Sequence, residues 1–196
     1  MLSTDTMCEL PRGFTPCEFR VKWADKGADE GADGGWEIAQ ARALRRAVFC
    51  VEQGLFGGDD LDAVDVHAQT IVALSTVGGM PDQLVGTVRI HAAEEGLWWG
   101  SRLAVHAAFR HQGRIGATLI RLAVSSAHAR GCRIFLAHVQ SQNVALFEKL
   151  RWTALKQETL HGRPHHLMEA DLSAYPPCHD PLTGFVTSST PARSAA

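Results

Sequence analysis

The sequence predicts a mixed α/β domain built on a mostly antiparallel sheet of about six to seven strands flanked by helices. Three observations predict it. Short alternating or apolar runs, bounded by glycine-rich turns, recur through the middle of the chain. Two longer stretches carry apolar residues at helical spacing instead. A strand–helix–strand unit across residues 102–138 then requires one parallel pairing inside an otherwise antiparallel sheet.

Each element has its own local reason. Residues 18–24 alternate, with Phe19, Val21 and Trp23 against Arg20 and Lys22, and read as a strand. Residues 25–35 are rich in Gly, Asp and Ala and read as a loop. From Trp36 to Gln53 the apolar positions Leu44, Ala47, Val48 and Val51 fall at i, i+3, i+4 and i+7, predicting one amphipathic helix with Arg45 and Arg46 outside. Gly54, Gly57 and Gly58 end it, and the acidic run Asp59, Asp60, Asp62, Asp65 follows. That run is expected to be a solvated loop or, failing that, an attractor for a cationic ligand. Strands over 68–76, 83–91 and 97–105 come next, the first two joined by a turn over 78–82. A long helix over 113–130 points Ile115, Leu119, Leu122, Ala123 and Val124 inward and stops at Gly131. A strand over 133–139, a short helix over 141–150 and two closing strands over 152–159 and 165–172 complete the order β-α-β-β-β-α-β-α-β-β.

Composition narrows the function. The chain has 196 residues, enough for one domain with a real core. Lys and Arg number 19 against 21 Asp and Glu, a formal net charge of −2, which argues against a nucleic-acid binder. No apolar run approaches the roughly 18 residues of a membrane helix. The first 16 residues include Asp5 and Glu9 and no apolar segment, so they do not read as a signal peptide, and a cytoplasmic protein is expected. The five cysteines Cys8, Cys17, Cys50, Cys132 and Cys178 are odd in number and form no CxxC, against a disulfide framework or a four-cysteine zinc site. Cys50 and Cys132 read as buried small hydrophobes. The Pro-, Ser- and Thr-rich end and the aperiodic start imply flexible tails at 1–17 and 173–196 around a single domain at 18–172.

The most informative stretch runs from Ser101 to Ile120. A strand ends there, and a basic turn containing Gly113 and Gly116 opens the long helix. Free N–H groups and the positive end of the helix dipole make such a junction a site for anions, with Arg110 and Arg114 adding charge. Taken alone, the same residues also suit a plain helix start. The GK[ST] of a Walker loop and a GxGxxG fingerprint are both missing.

This stretch resembles motif A of the GNAT superfamily of N-acetyltransferases, whose Arg/Gln-x-x-Gly-x-Gly/Ala turn holds the pyrophosphate of acetyl-CoA. Asn143 to Trp152 (NVALFEKLRW) is similar to the superfamily's last helix and the strand after it. Leu44 to Gln53, Asp65-x-His67 and His161 to Met168 resemble the ElaA-type branch and a branch found in nitrilase-centred gene clusters. The resemblance spans residues 18–172. It implies a GNAT fold, acetyl-CoA as co-substrate without a metal, and direct acetyl transfer to the amine of a small molecule. It also implies that Leu103, Ala104 and Val105 pair with the pantetheine arm. The amides from His111 through Gln112, Gly113, Arg114 and Gly116 to Ala117 would hold the pyrophosphate beside Arg110. Asn143 and Phe147 would sit near the thioester, and a homodimer would be in keeping with the superfamily.

Two departures bear on mechanism. The turn reads Arg110-x-x-Gly113-x-x-Gly116, one residue longer between its glycines than the family pattern. The tyrosine that serves many relatives as general acid is Phe147, and the one tyrosine, Tyr175, falls at the start of the expected tail. These departures keep two alternatives open: a non-catalytic acyl-CoA-binding sensor or partner module, and an acyltransferase with a different acyl donor. Candidate catalytic groups are Glu52, at the end of the first helix, His138, at the end of the strand beside the expected opening, and Asn143. Glu158 and His106 are weaker candidates for a base. Of Trp98 and Trp99, one ring must face each side of the sheet, and one is expected to wall the acceptor pocket. His165 and His166, being adjacent on a strand, point opposite ways, which disfavours a metal site with His161.

Overall fold

The computed structural model describes residues 18–25, 35–112 and 114–189. Its elements are β1 (Glu18–Trp23), α1 (Trp36–Arg45), β2 (Gln69–Val77), β3 (Met80–Glu94), β4 (Leu97–Val105), α2 (Ile115–His128), β5 (Ile134–Gln140), α3 (Val144–Lys149), β6 (Trp152–Leu160), β7 (Arg163–Ala170) and β8 (Phe185–Ser188). The strands form one sheet in the order β6-β7-β5-β4-β3-β2-β1-β8. Among the described strands only β4 and β5 run parallel, because α2 carries the chain back between them. The element order matches the sequence reading, with one strand more. The β2–β3 turn is tighter than the expected five residues. Gly78 and Gly79, at φ 58° and 80°, supply the two left-handed positions of a two-residue hairpin turn.

The core lies mainly between the sheet and α2. Ile115, Leu119, Leu122, Ala123 and Val124 are all buried, and Phe135, Ala137 and Val139 on alternate positions of β5 are buried in the same cluster. On the other side α1 contributes Ala41 and Leu44, near Val72, Leu74 and Leu84 of the sheet.

The first helix departs from its sequence reading. After Arg45 the backbone widens into a π-helix over Arg46–Glu52, where Gln53 N–H reaches back to Val48 O at 3.0 Å. A wider turn advances each residue through a smaller angle, so the 3.6-residue stripe is broken. Val48 and Phe49 are buried, whereas Ala47 is exposed and Val51 is 79% exposed. Arg45, expected outside, is 3% exposed. It shares the inward stripe of Ala41, Leu44 and Val48, and buried carboxylates meet it there.

The segment read as a flexible tail from residue 173 is structured up to residue 189. Tyr175 is buried, its hydroxyl donating to Leu150 O and accepting from Trp152 Nε1 at 3.0 Å. Cys178 N–H bonds to Ser125 O of α2 at 2.9 Å, Trp23 N–H bonds to Pro181 O at 2.8 Å, and β8 pairs antiparallel with β1. Composition suggested low apolar burial, but backbone pairing with β1 and one buried tyrosine anchor the segment instead. Residues 1–17 and 190–196 lie outside the described residues.

Gly184 is the tightest point of this anchor. Its φ is 65°, and an added Cβ would lie 2.0 Å from Val21 O. Gly184→Ala is therefore expected to lower the unfolding free energy by roughly 1–3 kcal/mol. Chemical denaturation together with amide exchange should register this as faster exchange confined first to β8 and β1.

Candidate active site

The site begins where the two parallel strands part. β4 and β5 pair from Leu97↔Ile134 to Gly100↔Ala137 and no further. Beyond that point β4 stays with β3, but a bulge sets Arg102 and Leu103 opposite the single residue Val88. Arg102 takes the left-handed conformation at φ 55°, a strained position for a residue with a side chain. Leu103 and Val105 thus present a strand edge to an open wedge instead of to β5. A cavity of about 330 Å³ fills the wedge, lined by Trp99, Leu103, His138, Gln140, Asn143 and Phe147 among others. Leu103, Asn143 and Phe147 also border a larger cleft of about 1610 Å³ that runs between α2 and α3.

The cleft ends at the N-terminus of α2. Among the described residues the first α-helical bond there runs from Thr118 N–H to Arg114 O at 2.9 Å, and the N–H of Gly116 has no backbone partner. Arg114 enters the helix at φ 50°. An added Cβ at Gly116 would meet only Val105 Cγ2, at 3.9 Å, so the space over this turn is open. Arg110, Arg114, Arg121 and Lys149 also line the cleft. Free amides, a helix dipole and cations fit a phosphate-bearing ligand.

The acidic run is not a solvated loop. Arg45 Nε donates to Asp60 Oδ2 at 2.9 Å, and its Nη1 donates to Asp65 Oδ1 at 2.6 Å. All three nitrogens of Arg89 are committed: Nε to Ser101 Oγ at 3.0 Å, Nη1 to Asp62 and Asp65 at 2.6 and 2.8 Å, and Nη2 to Asp62 at 3.0 Å. Arg102 adds contacts to Asp60 Oδ2 at 2.9 Å and Asp62 Oδ2 at 3.0 Å. Three arginines and three aspartates therefore cancel, leaving no acidic patch for a cationic ligand. Burial works against the charge of Asp65, but hydrogen bonds from Arg45 and from the Asp62 N–H hold its carboxyl well below the usual range. The bond from Arg89 lowers Asp62 against its own desolvation.

This network holds the segment after the first helix in place as a roof. Phe56 lies 4.7 Å, centroid to centroid, from the His161 ring, with the Arg102 guanidinium 4.6 Å above the Phe56 ring. Gln53 O accepts from Arg163 at 2.6 Å, and Gln53 Oε1 accepts from Gln140 at 2.9 Å. The roof is thereby tied to the β6–β7 hairpin across the mouth of the cavity.

Comparison with known proteins agrees with this geometry. The model of the acetyltransferase (GNAT) family matches residues 41–151, more than half of the chain. The chain belongs to the GNAT family. It is therefore an acyltransferase fold that draws its acyl group from CoA. No curated protein sequence matches it. Escherichia coli ElaA superposes with a TM-score of 0.61 at 18% identity, over 79% of this chain and 99% of that one. An acyl-CoA N-acyltransferase from Pseudomonas aeruginosa gives 0.61 at 21% identity, over 78% and 99%. N-acetylglutamate synthase from Neisseria gonorrhoeae, solved with coenzyme A and N-acetyl-glutamate, gives 0.55 at 17% identity, over 76% and 34%. At these identities the solved structures support the fold.

Within this GNAT chain the sequence-derived residues divide. Leu103, Ala104, Val105, Arg110, Arg114, Gly116, Ala117, Asn143 and Phe147 line the large cleft. His111 and Gln112 are not among its lining residues. The turn folds as a short 3-10 segment, Ala107–Phe109, with Phe109 buried, and Gln112 Nε2 bonds back to Ala108 O at 3.3 Å. Gly113 lies outside the described residues. Glu52 borders the cleft, but its carboxylate is held by Arg110 Nη1 at 2.8 Å, which keeps its pKa low. His138 faces the cavity from the side of β5 opposite Phe135, Ala137 and Val139. Its Nε2 lies 2.7 Å from Glu158 Oε1, and its ring lies 5.0 Å from Trp99. Burial lowers the His138 pKa, with Glu158 acting in the opposite sense.

Trp99 walls the cavity while Trp98 packs on the core, as strand alternation requires. Phe147 is buried edge-on against Trp152, 5.0 Å between centroids. Cys132 is buried, which pushes its thiol up to about 11, whereas Cys50 is only half-buried. Sequence reasoning missed Phe56, His91, Arg102 and His165 as cavity residues. The Asp65-x-His67 pattern drew notice to the loop, but nothing local marks its arginine partners. Among the described residues no group of three metal-ligating side chains is placed to hold an ion, and no helix is long and apolar enough to cross a membrane.

The depressed Asp62 and Asp65 carboxyls contribute stability that is complete above the unfolded aspartate pKa near ~3.9 and fades as pH falls through their lower folded values. Asp65→Asn is expected to cost roughly 3–5 kcal/mol near neutrality by stranding Arg45 and Arg89. Urea titrations between pH 7 and 2.5 should find the gap to the wild type closing as the pH falls below about 4.

Proposed function

We propose that the protein is an N-acetyltransferase that moves an acetyl group from acetyl-CoA directly to the amine of a small molecule. The observation that carries this reading is the continuity of three features: the anion cradle on α2, the unpaired edge of Leu103–Val105, and the cavity that opens beyond it. In this reading the amides of Gly116 and Ala117, with Arg110 and Arg114, bind the pyrophosphate. The edge of β4 bonds the pantetheine arm as an added strand would. A β4 N–H beside the thioester carbonyl stabilises charge that grows on its oxygen.

Transfer needs a deprotonated amine, whose pKa in water is near ~10. His138 is the favoured base. It sits on the cavity wall, and its lowered pKa keeps it unprotonated at neutral pH, with Glu158 close enough to steady the imidazolium that forms. Glu52 is the weaker candidate, because Arg110 holds its carboxylate and lowers its proton affinity. The ammonium first gives one proton to His138, which passes it to solvent; the amine nitrogen then bonds to the acetyl carbon, the carbon–sulfur bond breaks, and the second proton leaves the nitrogen for His138. The CoA thiolate takes a proton from water. Phe147 has no proton to give, and the Tyr175 hydroxyl is committed to Leu150 O. A thiol pKa of roughly 8.5 makes the unassisted thiolate only about 2 kcal/mol less stable than the thiol at pH 7, so a dedicated acid is dispensable.

Two experiments test this reading. Calorimetry is expected to give micromolar binding of acetyl-CoA. Gly116→Glu should fold, since its Cβ has room and a carboxylate suits a helix N-terminus, yet should weaken that binding by about a hundredfold or more. Unchanged affinity in this variant would remove the cradle assignment. For the chemistry, kcat/KM of the wild type should rise with pH through a value below the ~6.5 of free imidazole. His138→Gln should lose that limb along with about two to four decades of rate. A His138→Gln profile that keeps the limb would assign the base elsewhere.

A further inference from the structure

We propose that the acceptor is a primary amine that also carries a carboxylate, an apolar amino acid or a close relative, with its carboxylate bound by the free Nη1 edge of Arg102 and its amino group toward His138. The inference rests on the acetyl-transfer reading above and specifies the substrate class of the same cavity.

The first ground is the sign of the charge. Among the described residues no aspartate or glutamate lines the 330 Å³ cavity, and its formal charges are Arg89 and Arg102. The carboxylate beside His138, that of Glu158, is already shared between His138 Nε2 at 2.7 Å and Lys156 Nζ at 3.1 Å, so a polyamine or another polycation would meet no free counter-ion there, and burying an uncompensated cation is costly. Asp60, Asp62 and Asp65 cannot help such a ligand, because each is spent on the arginine network.

The second ground is the state of Arg102. Arg89 has every nitrogen committed, whereas Arg102 uses Nε and Nη2 on Asp60 and Asp62 and leaves Nη1 without a partner among the described residues. Its side chain is 17% exposed. Burial, and then the like charge of Arg89, outweigh Asp60 and Asp62 in their effect on its pKa. A half-buried guanidinium with a spare donor edge suits a carboxylate. The left-handed backbone at Arg102 turns this residue out of the strand at the cavity wall, a strain retained at the place where a ligand contact would repay it.

The third ground is size and lining. Phe56, Leu55, Trp99 and Leu160 supply apolar walls between Arg102 and His138. The volume lies at the low end of small-molecule cavities. An amino acid with an apolar side chain matches that room, whereas a polymer or a large glycoside does not. The products are the N-acetyl amino acid and CoA, with one proton released.

The test is a matched-pair assay of CoA thiol release on the wild-type protein. Phenylalanine is compared with phenethylamine, leucine with isoamylamine, and spermidine is included as a polycation. The carboxylate-bearing member of each pair is expected to win by about tenfold or more in kcat/KM, with spermidine inert. Equal or better turnover of the decarboxylated amines or of spermidine overturns the proposal while leaving acetyl transfer intact. So does binding of acetyl-CoA without turnover of any carboxylate-bearing amine. Failure to bind acetyl-CoA at all defeats the underlying reading and this one with it. Arg102→Gln should bring the ratio within each pair toward one, and Arg102→Lys should restore part of it. The wild-type ratio decides the matter even if these variants fold poorly.

Discussion

The separation of β4 from β5 after Gly100 and Ala137 is the constraint on which the rest of the site depends. A parallel pair closed along its whole length would satisfy every backbone group and leave nothing to bind. Here the backbone edge of Leu103–Val105 is left for another partner, and an unpaired strand edge is a ready template for an extended ligand. The bulge at Arg102–Leu103 and the entry of β5 into the Ser141–Asn143 turn hold the wedge open from opposite sides. The core side of the wedge is closed by α2, whose N-terminus borders the cleft and offers the amides proposed to bind an anion. One topological feature thus joins a phosphate cradle, a strand edge and a cavity.

The arginine–aspartate network is the second organising feature. A cluster of six ion pairs is weak evidence for stability, since desolvation offsets most of the attraction. Its contribution here is positional. Asp60, Asp62 and Asp65 come from a loop with little apolar surface of its own, and Arg45, Arg89 and Arg102 come from a helix and two strands. Pairing them holds the loop against the sheet and sets Phe56 over the cavity. It also neutralises the acidic run, which reverses what that run would mean for a charged ligand if it were free.

The proton chemistry follows from the same surroundings. A partly desolvated imidazole on a cavity wall, with a nearby carboxylate, favours its neutral form yet can accept a proton. A carboxylate locked by arginine, as in Glu52, cannot. Phe147 makes a close-packed edge contact with Trp152, 5.0 Å between centroids, where the family resemblance implied a hydroxyl, and in the proposed reaction the modest basicity of a thiolate makes that tolerable.

Much of this protein was determined by its sequence alone. The alternation of short strands, the helical spacing of Ile115, Leu119 and Leu122, and the basic glycine turn before them are local patterns, and local patterns follow from backbone geometry. They carried the fold class, the parallel unit and the cradle, and the residues of the motifs carried the family. What only the tertiary structure decided depends on partners distant in sequence. Arg45 looked like a surface residue until Asp60 and Asp65 met it inside. The π-helical turn broke a stripe whose spacing was drawn for an α-helix. Residues 173–189 looked like a tail because their composition is poor in apolar groups, yet pairing with β1 and the burial of Tyr175 hold them in the sheet. Arg102, the residue proposed to recognise the acceptor, has no signature in the chain, because its spare donor edge exists only once Arg89, Asp60 and Asp62 have taken their places around it.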